Sequence, residues 1–137
     1  MADQVEFELV SPERLLLSRA VEMVVVPGSE GDFGVLPGHA PLISTIRPGV
    51  IAVFNAGAVT DRIFVAGGFA EVTPERCTVL AEEALPVDSI DRAAAEAGLR
   101  DAREQLGGAR DDAERAGLEV RLAIAEARLA ALETSVY

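Results

Sequence analysis

Val5, Phe7 and Leu9 alternate with Gln4, Glu6 and Glu8, a period of two that turns one face of an extended segment toward a core and the other toward water. The chain therefore opens on a predicted strand. Further apolar runs follow at residues 21–26, 41–46, 50–54, 63–65, 69–72 and 77–81, bounded by turn formers such as Pro27-Gly28, Pro48-Gly49, Asn55-Ala56-Gly57 and Gly67-Gly68. Many short strands at this spacing predict a sandwich or barrel. Several of them, residues 50–54 included, are apolar on both faces, as expected where two sheets pack together and a neighbour also covers the outside.

The pattern changes after residue 86. All seven Pro and all five Phe fall within residues 1–86, whereas residues 87–137 hold 13 Ala and no Pro. Ala with Arg, Glu and Leu is a helix-forming mixture, so the chain divides into a β-domain over residues 1–86 and a helical region over 87–137. Asp88 or Ser89 is suited to cap a helix over residues 90–106, and Gly107-Gly108 then breaks it. A second helix is predicted over residues 109–133, with Asp111, Asp112 and Glu114 at the positive end of its dipole. The short Gly-Gly link makes the pair an antiparallel hairpin. Leu118, Leu122, Ala125, Leu129 and Leu132 form one narrow apolar stripe on the second helix, against which the first offers Ala93, Ala97 and, as large residues, Leu99 and Leu106. Such a hairpin buries little by itself and is expected to depend on docking for stability.

Charge narrows the function classes. The 137 residues carry 23 acids against 12 basic side chains, all Arg, for a net charge of −11. Residues 1–88 account for most of it, with a net of −8. An acidic surface of this kind argues against nucleic acid, whose phosphates demand Lys and Arg, and against electrostatic docking on anionic lipid. No apolar run approaches the ~20 residues that span a bilayer, and the acidic, alternating N-terminal segment does not read as a signal peptide. The expectation is a soluble or peripheral protein. The single cysteine, Cys77, excludes an intrachain disulfide framework.

Catalytic chemistry has little to stand on. His39 is the sequence's one histidine and sits in Gly38-His39-Ala40-Pro41, with no nucleophile elbow around any serine. His39 and Cys77 lack the spacing of metal ligands. Cys77 alternates with Val79 and Ala81 and reads as a small buried hydrophobe, and Glu82-Glu83 as a solvated strand end. No glycine pattern carries the Lys and Ser/Thr of a phosphate loop. Residues 27–42 stand out instead: four Gly and three Pro fix tight bends that carry Glu30, Asp32, Phe33 and His39. Rigid turns present side chains to a partner at small entropic cost.

Gly31-Asp32-Phe33-Gly34-Val35-Leu36-Pro37-Gly38-His39-Ala40-Pro41-Leu42, then Arg47-Pro48-Gly49, Ala66-Gly67-Gly68-Phe69-Ala70-Glu71-Val72 and Val79-Leu80-Ala81-Glu82, resemble the epsilon subunit of bacterial F-type ATP synthases, counterpart of the mitochondrial delta subunit. The resemblance covers essentially the whole chain. It implies an α+β protein, a ten-stranded β-sandwich followed by an antiparallel two-helix hairpin. It also implies a non-catalytic rotor subunit that binds the gamma subunit, rests on the ring of membrane-embedded c subunits and couples proton-driven ring rotation to ATP synthesis. Such a protein is peripheral, at the cytoplasmic face of the plasma membrane, without direct lipid insertion. On the family pattern Ser29, Glu30, Gly31, Asp32 and Phe33 meet polar loops of the c ring, with Glu30 and Asp32 paired to a basic residue there, and Gly38, His39, Ala40, Pro41 and Leu42 lie near the gamma and ring contact.

The hairpin departs from the family pattern. Members that bind ATP there carry Ile/Leu-Asp-x-x-Arg-Ala; here Ile90 and Asp91 match, but Ala94 occupies the Arg position and Arg92 lies two residues early, turned by about 200° on a helix. No nucleotide or other cofactor is expected. In the family an extended hairpin enters the alpha/beta head and blocks ATP hydrolysis with basic side chains; residues 109–137 have four Arg against six acids, which makes a poor electrostatic plug. From the residues alone, a free-standing β-sandwich that binds a small apolar ligand, with the hairpin as a dimerisation handle, stays open as the alternative.

Overall fold

In the computed structural model, which describes residues 3–133, the chain forms two compact units that divide between Pro86 and Val87. The first contains ten strands: β1 (Val5–Val10), β2 (Leu15–Val21), β3 (Met23–Gly28), β4 (Gly31–Val35), β5 (Leu42–Ile46), β6 (Gly49–Asn55), β7 (Ala58–Val65), β8 (Gly68–Val72), β9 (Arg76–Ala81) and β10 (Ala84–Pro86). They run in the order β10-β7-β6-β3-β5-β8-β9-β1-β2, with β4 paired to the free part of β3. Only one residue pair, Gly28 with Ile46, joins β3 to β5. At that weak seam the sheet folds into two layers.

The core lies between the layers. Val24, Val26, Val35, Ile51, Val53, Ile63 and Val65 come from one layer; Val5, Phe7, Leu9, Val21, Val72, Cys77 and Val79 come from the other. β1 shows the alternation that its sequence predicts, with Val5, Phe7 and Leu9 buried and Glu6 exposed. β6 is buried on both faces through Ile51, Ala52 and Val53, as its all-apolar run predicts.

Three strands were hidden from the sequence pattern. Residues 15–21 lack alternation, yet form edge strand β2, antiparallel to β1 with a bulge beside Val10. Such bulges break the period of two. The apolar run predicted at 21–26 thus belongs to two strands, since Val21 ends β2 and Met23 begins β3. β4, read as a series of bends, is extended because it pairs along Val24–Gly28 and buries Val35. β10 is a three-residue addition to β7. The Gly67-Gly68 pair has a firm steric reason. Gly68 has a φ of +131°, and a Cβ there would lie 2.0 Å from the Leu80 carbonyl oxygen.

In the second unit α1 (Arg92–Gly107) and α2 (Asp112–Glu133) pack as a hairpin. Both begin later than their sequence pattern predicts. Val87–Ser89 forms one 3-10 turn, and the Asp91 carboxylate, rather than Asp88 or Ser89, caps α1 by accepting from Ala94 N at 3.3 Å. Asp111 accepts from Glu114 N at 2.8 Å and so starts α2 after residue 111 instead of at 109. The buried face of α1 is Ala95, Leu99 and Ala102; Ala93 is exposed and Ala97 half-buried, because the phase of the helix follows Leu99. Against this face pack Leu122, Ala125 and Leu129 of the predicted stripe, while Leu118 and Leu132 are half-buried.

Candidate partner-binding surfaces

Ser29 and Glu30 form the two-residue connection between β3 and β4, because Gly28 pairs directly with Gly31. The backbone comes so close here that a Cβ on Gly28 would lie 2.7 Å from the Gly31 oxygen and 2.9 Å from the Phe33 ring. Phe33 lies over Gly28 and against the core. It is a structural part of the tip. Ser29 is also engaged: its N donates to Thr45 O at 3.0 Å, and its hydroxyl lies 2.6 Å from that of Thr45. Asp32 accepts from Arg47 Nη2 at 2.5 Å. Glu30 remains as the exposed carboxylate at the apex.

The turn after β4 has a different anchor. Gly38 N donates to Pro74 O at 2.8 Å, which ties it to the β8–β9 turn, and His39 N donates to Leu36 O at 3.2 Å. His39 Nδ1 lies 2.7 Å from Ala40 O, a local bond that holds the half-buried ring. Ala40, Pro41 and Leu42 are exposed. The five residues of β4 separate this turn from the tip at Ser29, about 17 Å at the rise of a strand. The residues singled out in the sequence therefore do not form one patch. They occupy opposite ends of β4.

A third surface was missed by sequence reasoning. On β8 and β9, Ala70, Val72, Cys77 and Val79 point into the core, so Phe69 and Leu80 face away from it. Phe69 pairs with Leu80, Leu80 with Val10, and Val10 with Leu15. Ile43, two residues from Thr45, which pairs with Phe69, extends this row onto β5. Ile43 is 72% exposed, Leu15 55% and Phe69 49%. The result is an apolar band across five strands. Contiguous exposed apolar surface marks an interaction site. Its signal existed in the sequence, but only the register joins residues so distant from one another in sequence.

Burial pushes the Cys77 thiol up to about 12, so at neutral pH it is a thiol and not a thiolate. Among the described residues no three His, Cys, Asp or Glu side chains gather as metal ligands, and no helix is long and apolar enough to cross a membrane. A depression of about 620 Å³ beside Asp3, Gln4, Glu6, Ala20, Glu22, Asn55 and Ala56 is open and polar. It does not offer the apolar enclosure that the ligand-module alternative needs. Near the hairpin's start, Asp91 is used as a helix cap, and Arg92 Nη1 donates to Glu133 Oε1 at 2.6 Å, which raises the Arg92 pKa.

The chain thus combines a ten-stranded β-sandwich that carries an exposed apolar band with a two-helix hairpin. Comparison with known proteins gives its family. Residues 4–87 match the beta-sandwich domain of the ATP synthase delta/epsilon chain, and residues 91–136 match the C-terminal domain of the ATP synthase epsilon chain. The protein is 60% identical over 131 residues to the ATP synthase epsilon chain of Rhodospirillum rubrum, covering 96% of this sequence and 98% of that one. With the Rhodospirillum centenum epsilon chain it shares 59% identity over 134 residues, covering 94% and 92%. A subunit in the Euglena gracilis mitochondrial ATP synthase structure, which comprises OSCP, F1 and c ring, superposes with a TM-score of 0.84 at 29% identity, covering 96% of this sequence and 83% of that one. The chain belongs to the ATP synthase epsilon family, and it is a non-catalytic stalk subunit of that complex.

Proposed function

We propose that the subunit turns with the rotor, binding the gamma subunit through the apolar band and the c ring through the β3–β4 tip, and so passes ring rotation toward the catalytic head. The exposed band Leu15–Val10–Leu80–Phe69 with Ile43 carries this reading. Burying such side chains contributes about 25 cal/mol per Å² of apolar surface removed from water. The rigid two-layer core transmits force without local yielding. Glu30 at the apex suits a basic loop of the ring, and the turn at Gly38–Leu42 lies near gamma and the ring. With net charge −8 in residues 1–88, the protein is held at the cytoplasmic face of the bacterial plasma membrane by protein contacts rather than by anionic lipid.

The hairpin is neither a nucleotide site nor a strong brake on ATP hydrolysis in this reading. Asp91 and Arg92 are engaged within the hairpin, and Ala94 stands where an ATP-binding hairpin of the family has Arg. Four Arg against six acids in residues 109–137 give little attraction for an acidic head. Calorimetric titration with ATP is expected to show no saturable heat at millimolar concentration; saturation would refute that part. Co-purification tests the main reading. Phe69→Glu and Ile43→Asp should each leave a folded subunit that no longer co-purifies with gamma, whereas undiminished co-purification would refute docking through the band.

A further inference from the structure

We propose that Arg47 is a positioning residue for ring docking: it clamps the β3–β4 tip and takes Asp32 out of the contact, so that Glu30 meets the basic loop alone. The inference rests on the reading of the tip as the ring-facing surface. Arg47 follows β5 at the corner beside the seam between the layers. Its Nη1 donates to Gly28 O at 2.5 Å, its Nη2 to Asp32 Oδ1 at 2.5 Å and its backbone N to Pro27 O at 3.0 Å. One side chain thus grips both strands of the tip. Thr45 adds the two bonds to Ser29, and Gly49 is pressed to the same place, since a Cβ there would lie 3.0 Å from Pro27 Cβ. A planar guanidinium makes such a fork, which an ammonium cannot reproduce.

The electrostatic consequence is specific. Sequence alone shows two carboxylates on the tip, two residues apart, and both are natural partners for a basic loop. The structure divides their work. Asp32 is neutralised within the subunit by Arg47, and the orientation of the apex is fixed before any partner arrives. Preorganisation of this kind lowers the entropic cost of association.

Binding of the full-length subunit, within its complex with gamma, to purified c ring in detergent tests the clamp, with circular dichroism to verify folding. Glu30→Gln should weaken ring binding about tenfold and flatten its salt dependence. Arg47→Gln should weaken it to a similar extent while the unfolding midpoint stays within a few degrees, and Arg47→Lys should restore only part of the loss. The exchanged pair Asp32→Arg with Arg47→Asp rebuilds the ion pair but not the bond to Gly28 O, because a carboxylate cannot donate to a carbonyl, and should recover only part of the affinity. Unchanged binding in Arg47→Gln alongside a loss in Glu30→Gln would overturn the clamp and leave the ring-facing tip intact. Tighter binding in Arg47→Gln would overturn it as well, by showing that a released Asp32 is itself a contact. Unchanged binding in Glu30→Gln would overturn the ring-facing reading beneath it.

Discussion

The sandwich and the hairpin use their apolar residues in opposite ways. Among the described residues the sandwich core joins seventeen buried side chains, Phe7, Leu9 and Ile51 among the largest, and still leaves Ile43, Phe69 and Leu15 outside. The hairpin buries Ala95, Leu99, Ala102 and Ala125, with Leu122 and Leu129 packed against the last three. Each methylene removed from water contributes about 0.8 kcal/mol, so burial favours the first unit far more than the second. The lesson concerns division of labour. Under the proposed function the sandwich, which passes force between partners, gains from a packed core and an exposed apolar face, whereas the hairpin is held by small residues and an exposed ion pair.

The largest expected effect separates the two units directly. Phe7→Ala empties the centre of the sandwich, where Phe7 is fully buried, and should cost roughly 3–5 kcal/mol. Thermal unfolding of the isolated subunit should show the sandwich transition collapse, whereas Leu99→Ala in the hairpin should leave that transition in place. Next comes pH. The unfolded protein releases the Cys77 proton near pH 9.0, the folded one only near 12. Stability from the buried thiol is therefore complete below about 9 and is lost as pH rises toward 12, a loss confined to the sandwich. A thiol reagent at pH 8 should react at the rate of sandwich opening, unchanged by hairpin variants.

Smaller effects can sharpen the contrast. Gly98 and Gly117 lie within α1 and α2 with open space where a Cβ would be. Gly98→Ala and Gly117→Ala should each stabilise the hairpin by about 0.5–1 kcal/mol, seen as slower amide exchange in the helices and none in the strands. The smallest concerns one turn. Ala56 has a φ of +53° in the two-residue β6–β7 turn, a conformation that Asn accepts more readily. Ala56→Asn should raise the sandwich transition by roughly 0.5 kcal/mol.

Much of this contrast was legible in the sequence. β1 announced itself by alternation, the helices by Ala and Leu at helical spacing, and the boundary between them by the disappearance of Pro and Phe. β2 and β4 were not legible, since an edge strand with a bulge and a five-residue strand with two Gly owe their form to pairing. The same holds for the binding surfaces. The tip and the turn at His39 look continuous in sequence, yet β4 holds them apart. The apolar band needs the register of four strands to bring Leu15, Val10, Leu80 and Phe69 into line. Asp32 looked available because its partner, Arg47, lies beyond a turn and a strand.

The central claim is that coupling resides in the sandwich and that the hairpin is no strong brake. It is tested most directly by assembling the synthase with a subunit ending at Asp88 and measuring ATP hydrolysis together with ATP-driven proton pumping. The account predicts an assembled enzyme that pumps, with hydrolysis changed less than about twofold, well under the tenfold that 1.4 kcal/mol of inhibitory contact would give. Loss of pumping, or a several-fold rise in hydrolysis, would contradict it.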